Sequence, residues 1–520
     1  MINRQFVVCA ALGSAVGMAA AGPAWADPIS YFAPGDLVVS EVSCNVGAAC
    51  SSTSGGLDTA SPIVLQQYQL GPGGASAAAA GSLTLPQTGS GANSAISGEY
   101  GSASEGILEQ SANGQYLTIM GYGVSANAFN TTPNNYGTTA LGQTTSVAGG
   151  PNTVVPRVVA LIGTNGNVDT STALTGVFNT NNPRSAATVD GSSFYVSGQG
   201  VTGDGTGGVF YATKGATTAT PINANTTTPK GNPNGLANPL TGTETRAVEI
   251  VNNGSGNELY VSRDFGASGT PNDATDIRTL TNASGGLPTS ANGLVANRVI
   301  PGNTNSSGGN TGSIDVTNAT ANGVNNARNG QAPGHTGNTF VYLSPEQFYF
   351  ANASTLYIAD SGSPKNGANA AGLGEGGLQK WVNSAPDGSG TWTLEYDLVN
   401  GLGLTAQSNA NSATPTAAGV TGLFGLTGEV VGGNVELFAT TYGLNELSQS
   451  YLYEITDNLA NTDYTVGDDE TFNLLATAPE ETLFRGVAFA PVPEPGSLAV
   501  IAAGLAGVLV VRRRRGSASA

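Results

Sequence analysis

Apolar and polar residues alternate in short runs through the middle of the chain, and Gly, Asn and Asp interrupt the runs every few positions. A period of two sends successive side chains to opposite faces of an extended backbone, so the pattern predicts short strands paired across tight turns. Such pairs occupy 106–114 with 115–123, 184–191 with 193–198, 246–253 with 258–263, 347–352 with 355–362, and 422–426 with 435–440. Third strands are predicted at 158–162, 209–212, 378–382 and 451–455, and fourth strands at 391–396 and 471–476.

Four antiparallel strands with a short inner edge and two packable faces make a propeller blade. The run Thr355-Leu356-Tyr357-Ile358-Ala359-Asp360-Ser361-Gly362 resembles the strand of an NHL-type propeller repeat, which implies the same architecture. First strands begin near 107, 185, 247, 347 and 422. That spacing exceeds the about 45 residues of a compact blade, so long polar loops must be inserted; the Asn-, Thr-, Pro- and Gly-rich stretches 215–242 and 300–338 fit that role. A further first strand at 483–490 has no partner after it, while strands at 36–42 and 63–68 have none before them. The expected fold is therefore all-β, a six-bladed propeller closed by pairing of the N- and C-terminal strands, which removes exposed sheet edges. The segment 270–300 is poorly patterned. Rings of five or seven blades stay open for that reason, as do a β-sandwich and a β-helix array.

The two ends follow other rules. Arg4, an acid-free apolar stretch from Phe6 to Ala21, a Gly22-Pro23 break and the small-residue site Ala24-Trp25-Ala26 predict a signal peptide over 1–26, with mature protein starting at Asp27. Cys9 sits in no lipoprotein-like box. Residues 492–520 contain Val492-Pro493-Glu494-Pro495, an apolar run over 498–511, and the cluster Arg512, Arg513, Arg514 and Arg515. As a helix the run covers roughly 21 Å, short of the about 30 Å hydrocarbon core, so it suits a transient stop better than a permanent anchor. The arginines hold the tail on the cytoplasmic side, leaving residues 27–491 as the extracytoplasmic domain.

Pro-Glu-Pro, apolar helix and arginine cluster in that order resemble the PEP-CTERM sorting signal. The resemblance implies recognition of the tripeptide by a membrane-embedded exosortase, which cuts near it and releases or transfers the protein. It also implies a Gram-negative envelope, with the inner membrane as an intermediate station, and commonly an exopolysaccharide-rich matrix or biofilm. Signal peptidase and exosortase are the expected processing partners, and exopolysaccharide is a further candidate partner.

Removing both ends takes five of 17 basic residues and one of 35 acids, leaving 12 against 34 and a net charge of −22 over 27–491. So acidic a domain is soluble and self-repelling, and a poor binder of nucleic acid or anionic surfaces. Cys44 and Cys50, separated by five residues in an exported chain, read as a small disulfide-closed loop.

Searching for catalytic chemistry gives mostly negatives. The single histidine, His335, lies in a Gly- and Pro-rich stretch with no Gly-x-Ser-x-Gly elbow, so a histidine-rich zinc site is excluded and a Ser-His-Asp triad has little support. Gly203-Asp204-Gly205-Thr206-Gly207-Gly208 lacks the Lys-Ser/Thr ending of a phosphate loop and reads as a turn. Asp457, Asp463, Asp468, Asp469 and Glu470 supply oxygen ligands that Ca²⁺ accepts, but their spacing matches no EF-hand, and plain surface acidity is the favoured reading. No other cofactor is expected. Asp360 is expected to end a strand and cap a turn. Arg184, Arg246 and Arg485 precede equivalent inner strands, which would place them round one channel mouth facing an acidic sugar unless local carboxylates hold them.

Two functions follow. The favoured one is a non-enzymatic surface or matrix protein presenting polar loops. The alternative is an extracellular propeller enzyme, a lactonase or lyase acting on a sugar derivative, for which Glu109, Glu249 and Asp360 are the candidate channel ligands.

Overall fold

Most strands in this chain are apolar on both faces, and that property decides how they assemble. A computed structural model describes residues 32–44, 57–102, 104–201, 204–226, 245–252, 254, 256–263, 276–301, 313–315, 340–342, 344–362, 376–404, 420–443, 449–462 and 470–493. The strands are β1 (Leu37–Ser43), β2 (Ala60–Leu70), β3 (Ala77–Thr84), β4 (Ser97–Glu99), β5 (Glu109–Gln110), β6 (Tyr116–Tyr122), β7 (Arg157–Gly163), β8 (Val168–Leu174), β9 (Pro183–Ala187), β10 (Ser193–Gly198), β11 (Asp204–Thr213), β12 (Thr220–Thr226), β13 (Thr245–Asn252) and β14 (Asn257–Arg263). They continue as β15 (Asp276–Asn282), β16 (Leu294–Pro301), β17 (Ser313–Asp315), β18 (Phe340–Tyr342), β19 (Pro345–Asn352), β20 (Thr355–Asp360), β21 (Gly377–Asn383), β22 (Trp392–Leu398), β23 (Gly422–Val431), β24 (Asn434–Tyr442), β25 (Tyr451–Asn458), β26 (Asn473–Thr477) and β27 (Thr482–Phe489).

Consecutive strands pair antiparallel into four-stranded sheets over β9–β12, β13–β16, β19–β22 and β23–β26. A nine-stranded sheet runs β27-β1-β2-β4-β6-β7-β8, with β3 on β2 and β5 on β6, and among the described residues β17 pairs with β18 alone. The expected meeting of the chain ends is present: β1 lies antiparallel to β27 from Leu37 opposite Phe489 to Ser43 opposite Thr482. The arrangement is all-β and propeller-like. Innermost strands touch in the order β5, β9, β13, β19, β23, β27, and β27 touches β5 again.

Side-chain alternation explains the stacking. On β1, Val38 and Val42 enter a core shared with Leu117 and Ile119 of β6, while Leu37 and Val39 enter one shared with Phe438 of β24. On β10, Phe194 and Val196 join Met120 and Val159, whereas Tyr195 joins Leu259 and Val261 of β14. On β20, Leu356 and Ile358 join Tyr260 and Ile277, and Tyr357 and Ala359 join Leu437 and Ile455. Each sheet thus buries both faces against its neighbours, and apolar burial at roughly 25 cal/mol per Å² is the main force holding sheet to sheet.

Polar stitches repeat alongside those cores. The inner strand is bulged opposite Ser40, Ser262 and Thr440, where the register jumps. A bulge leaves one amide without a ladder partner, and the facing hydroxyl takes it: Gly486 N donates to Ser40 Oγ at 2.8 Å, Ala247 N to Ser262 Oγ at 3.0 Å, and Gly425 N to Thr440 Oγ1 at 2.9 Å. Each hydroxyl then donates onward to the next inner strand, reaching Gly106 O, Glu346 O and Arg485 O respectively. Ser197 makes the same onward bond to Arg246 O. On β20 the equivalent residue is Ala359, which has no hydroxyl.

Several expectations need correction. The segment 270–300 holds β15 and most of β16, where Arg278, Thr279, Asn297 and Arg298 interrupt the apolar positions of the sequence. The supposed loop 215–242 contains β12, rich in Thr and Asn, and 300–338 contains the three-residue β17, too short for an apolar signature. β3, β4 and β8 were not expected from the pattern; β3 is almost wholly exposed Ala, Gly and Ser.

Candidate functional site

The inner strands carry Glu109, Glu249 and the three arginines singled out for chemistry, and the structure draws the two carboxyls together. Glu109 ends the turn into β5, where Ser185 Oγ donates to its Oε1 at 3.3 Å, and Gln347 supplies a second hydrogen bond to its side chain. Burial pushes its carboxyl well above the ordinary range. Glu249 on β13 is raised too, first by burial and then by the charge of Glu109. Two carboxyls so close, Glu109 buried and Glu249 half-buried, favour holding a proton. Asp360 does not join them: it accepts from Gly362 N at 2.9 Å, Ser344 N at 3.3 Å and Gln379 Nε2 at 2.5 Å, closing a turn.

Arginines expected round a mouth are instead buried among the sheets. Arg184, Arg246 and Arg485 are 2%, 1% and 7% exposed. Arg184 Nη2 donates to Gln199 Oε1 at 3.0 Å, Arg246 forms an ion pair with Glu346, and Arg485 Nη2 donates to Tyr100 O at 2.6 Å.

A second acidic group escaped the sequence reading. Glu105 accepts from Tyr122 Oη, Asn182 Nδ2 and, at 3.1 Å, Glu99 N, while Glu99 accepts from Gly142 N. Burial raises both carboxyls; the charge of Glu105 raises Glu99 further, and Arg485 offsets part of the rise. Glu41, Glu99, Glu105 and Arg485 border a cavity of ≈ 10 Å³, room for about one water. Arg157 lies 4.6 Å above the Tyr122 ring and donates to Val155 O and Thr144 O, both at 2.8 Å, and to Phe178 O at 3.0 Å, so it gathers loop carbonyls. Little local marks Glu99 or Glu105, since Tyr122, Gly142 and Asn182 reach them from 17, 43 and 77 positions away.

Of the acids considered for Ca²⁺, Asp463, Asp468 and Asp469 lie outside the described residues. Asp457 is fully buried, which corrects the surface reading: it pairs with Lys380 Nζ at 2.8 Å and accepts from Tyr396 Oη at 2.6 Å and from Tyr357 Oη. Burial first, then the Asp457 charge, lifts Glu470 to about 8. Among the described residues no three His, Cys, Asp or Glu side chains are grouped to hold a metal ion. His335, Ala24, Ala26, Cys50, Glu494, Pro495 and Arg512 to Arg515 also lie outside the described residues; Cys44 is disulfide-bonded.

Val492 and Pro493 are described, and their setting is specific. After β27, Ala490 N donates to Asp36 O at 2.8 Å, Gln110 Nε2 donates to Ala490 O at 3.1 Å and Phe489 O at 3.2 Å, and Val492 N donates to Gly114 O at 2.7 Å. Val492 and Pro493 then wall an open polar cleft of ≈ 470 Å³ with Gln115, Asn165, Asp169 and Lys214. Among the described residues no helix is long and apolar enough to cross a membrane, and the run 498–511 lies outside them.

No curated protein matches the chain in sequence. Among solved structures it is similar to a Bacteroides fragilis protein provisionally assigned as a 6-phosphogluconolactonase, at 10% identity over 87% of this chain and 98% of that one, TM-score 0.33. It is also similar to a subtype N11 neuraminidase-like protein from A/flat-faced bat/Peru (H18N11), at 11% identity over 87% and 98%, TM-score 0.29. Similarities this distant carry no functional argument. A family model for sorting sequences does match, and it begins where Gly114 holds the chain: residues 491–515 are a PEP-CTERM protein-sorting motif.

Proposed function

We propose that this is an exported, exosortase-processed envelope protein, a six-bladed propeller delivered to the cell surface or matrix as a non-enzymatic component. The sorting motif at 491–515 carries the reading. Six blades follow from counting β27-β1-β2-β3 and β5-β6-β7-β8 as separate blades within the nine-stranded sheet, joined through β4. The cyclic contacts of the inner strands support that count. In this reading signal peptidase cuts after Ala26, Cys44 pairs with Cys50, the apolar run pauses the chain in the inner membrane of a Gram-negative cell, and exosortase cuts near Pro493-Glu494-Pro495. Exopolysaccharide is the proposed neighbour at the surface. The non-enzymatic assignment rests on the use made of the buried charges: Arg246, Lys380 and Arg157 are spent on Glu346, Asp457 and loop carbonyls.

Intact mass of the protein recovered from its native host tests the reading. The expected mass lacks residues 1–26 and the arginine cluster; a mass retaining Arg512 to Arg515 overturns it. The lactonase or lyase alternative draws on the Glu109 and Glu249 pair, and a stoichiometric, tightly bound cation in purified protein would favour it over the adhesive reading.

A further inference from the structure

The folded body reaches into its own sorting motif, because the motif starts at residue 491 and the chain is still bonded to the propeller at Val492. Only residues 494–497 separate Pro493 from the apolar run that begins at Leu498. Five steps of at most about 3.6 Å reach about 18 Å. Headgroups take up roughly 5–7 Å of that on each side of the hydrocarbon core. While the tail is inserted, the rim around Pro493 therefore cannot stand far from the bilayer.

Charge on that rim is close to balance, with exposed Asp190 on the adjoining turn, so it opposes the approach less than the rest of the domain does. The domain as a whole is strongly acidic and would be repelled by an anionic surface within a Debye length of about 8–10 Å. Around the exit, however, the cleft residues include a single acid, Asp169, and Lys214 Nζ holds it at 2.9 Å. Of the lysines and arginines whose side chains are described, Arg157, Arg184, Arg246, Arg263, Arg278, Lys380 and Arg485 are buried, while the Lys214 side chain is 45% exposed. The exposed cation thus sits beside the point where the chain leaves for the membrane.

We infer that the rim formed by Gln115, Asn165, Asn167 and Lys214 is a membrane-apposed surface that holds the precursor in one orientation on an anionic bilayer until the tail is cut. This rests on the sorting reading above. The β6–β7 connection, with exposed Ala148 in it, lies at the far end of the same strands from the β7–β8 turn that holds Asn165, and seven-residue β7 alone spans roughly 23 Å.

The test uses the full chain carrying its tail, reconstituted in dimyristoyl phosphatidylcholine/phosphatidylglycerol vesicles and floated on a density gradient. Asn165→Cys and Ala148→Cys variants are labelled with a PEG-maleimide, with and without a spacer of about 40 Gly/Ser residues, mean span roughly 35 Å, inserted between Pro493 and Glu494. Expected is labelling of Asn165→Cys several-fold slower than Ala148→Cys, with the spacer abolishing the difference. Equal rates in floated protein without the spacer overturn the inference alone. Shielding that persists with the spacer lies within the protein and overturns it too. Protein that fails to float overturns the sorting reading and the inference together.

Discussion

Lys380 Nζ stands 2.8 Å from Asp457 Oδ2, and neither side chain is exposed. The ammonium also donates to Tyr396 Oη at 2.9 Å, Asn458 O at 2.7 Å and Asn461 O at 2.8 Å. One cation thus binds β21 to β25 and to the turn that follows β25. Lys380→Met strands the Asp457 carboxylate, and removing one partner of a buried pair costs about 3–5 kcal/mol. Urea unfolding should show that loss, and Lys380→Met with Asp457→Asn should recover most of it.

Ser262 serves two strands at once, accepting from Ala247 N of β13 and donating to Glu346 O of β19. Ser262→Ala orphans a buried amide at a bulge, so about 1–3 kcal/mol is expected. A loss under a few tenths by chemical denaturation would show that the stitch is decorative.

Closure of the ring depends on close backbone approach. A Cβ on Gly486 would run into the backbone of Leu108, Gly106 and Ile107. Gly486→Ala forces β27 and β5 apart, a strain of about 1–3 kcal/mol or more. Limited proteolysis should then cut first near the two ends, before any inner sheet opens.

Acid should stabilise this fold across the mildly acidic range. Burial lifts Glu99, Glu105, Glu109 and Glu249 above 4.5, and Glu470 to about 8. The folded chain keeps protons there that the unfolded chain has released, so their contribution is complete below about 4.5 and is lost as pH rises through the folded values. Asp169, whose carboxyl is lowered by its hydrogen bonds to Ser171 and Lys214 despite some burial, works in the opposite sense, but only below 3.8. Thermal melts should therefore give a higher Tm at about pH 5 than at about pH 8. Glu109→Gln keeps an acceptor for Ser185, removes the buried charge, and should flatten that slope; an unchanged slope would place the effect elsewhere.

Strand identity was legible wherever alternation was undiluted. Val38, Tyr195, Leu259 and Leu437 each sit in a run whose apolar residues recur at every second position or fill both faces, and each is buried as expected. β12 was not seen because Thr and Asn dominate it, β15 because polar residues outnumber its two apolar ones, and β17 because it is three residues long; their pairing is set by the strand beside them.

Local chemistry also made the sorting motif readable, because a peptide presented to a membrane enzyme is recognised by its own linear order. The burial of charge was a different matter. Arg246 meets Glu346 one hundred positions away, and Tyr357 meets Asp457 across the same separation. The chain alone specified short strands, their turns and an address, since those depend on neighbours within a few residues. Which acids are dry, which of the described cations are buried and which rim stands by the exit were decided only when the sheets stacked, because burial is a property of surfaces meeting and no single strand contains both.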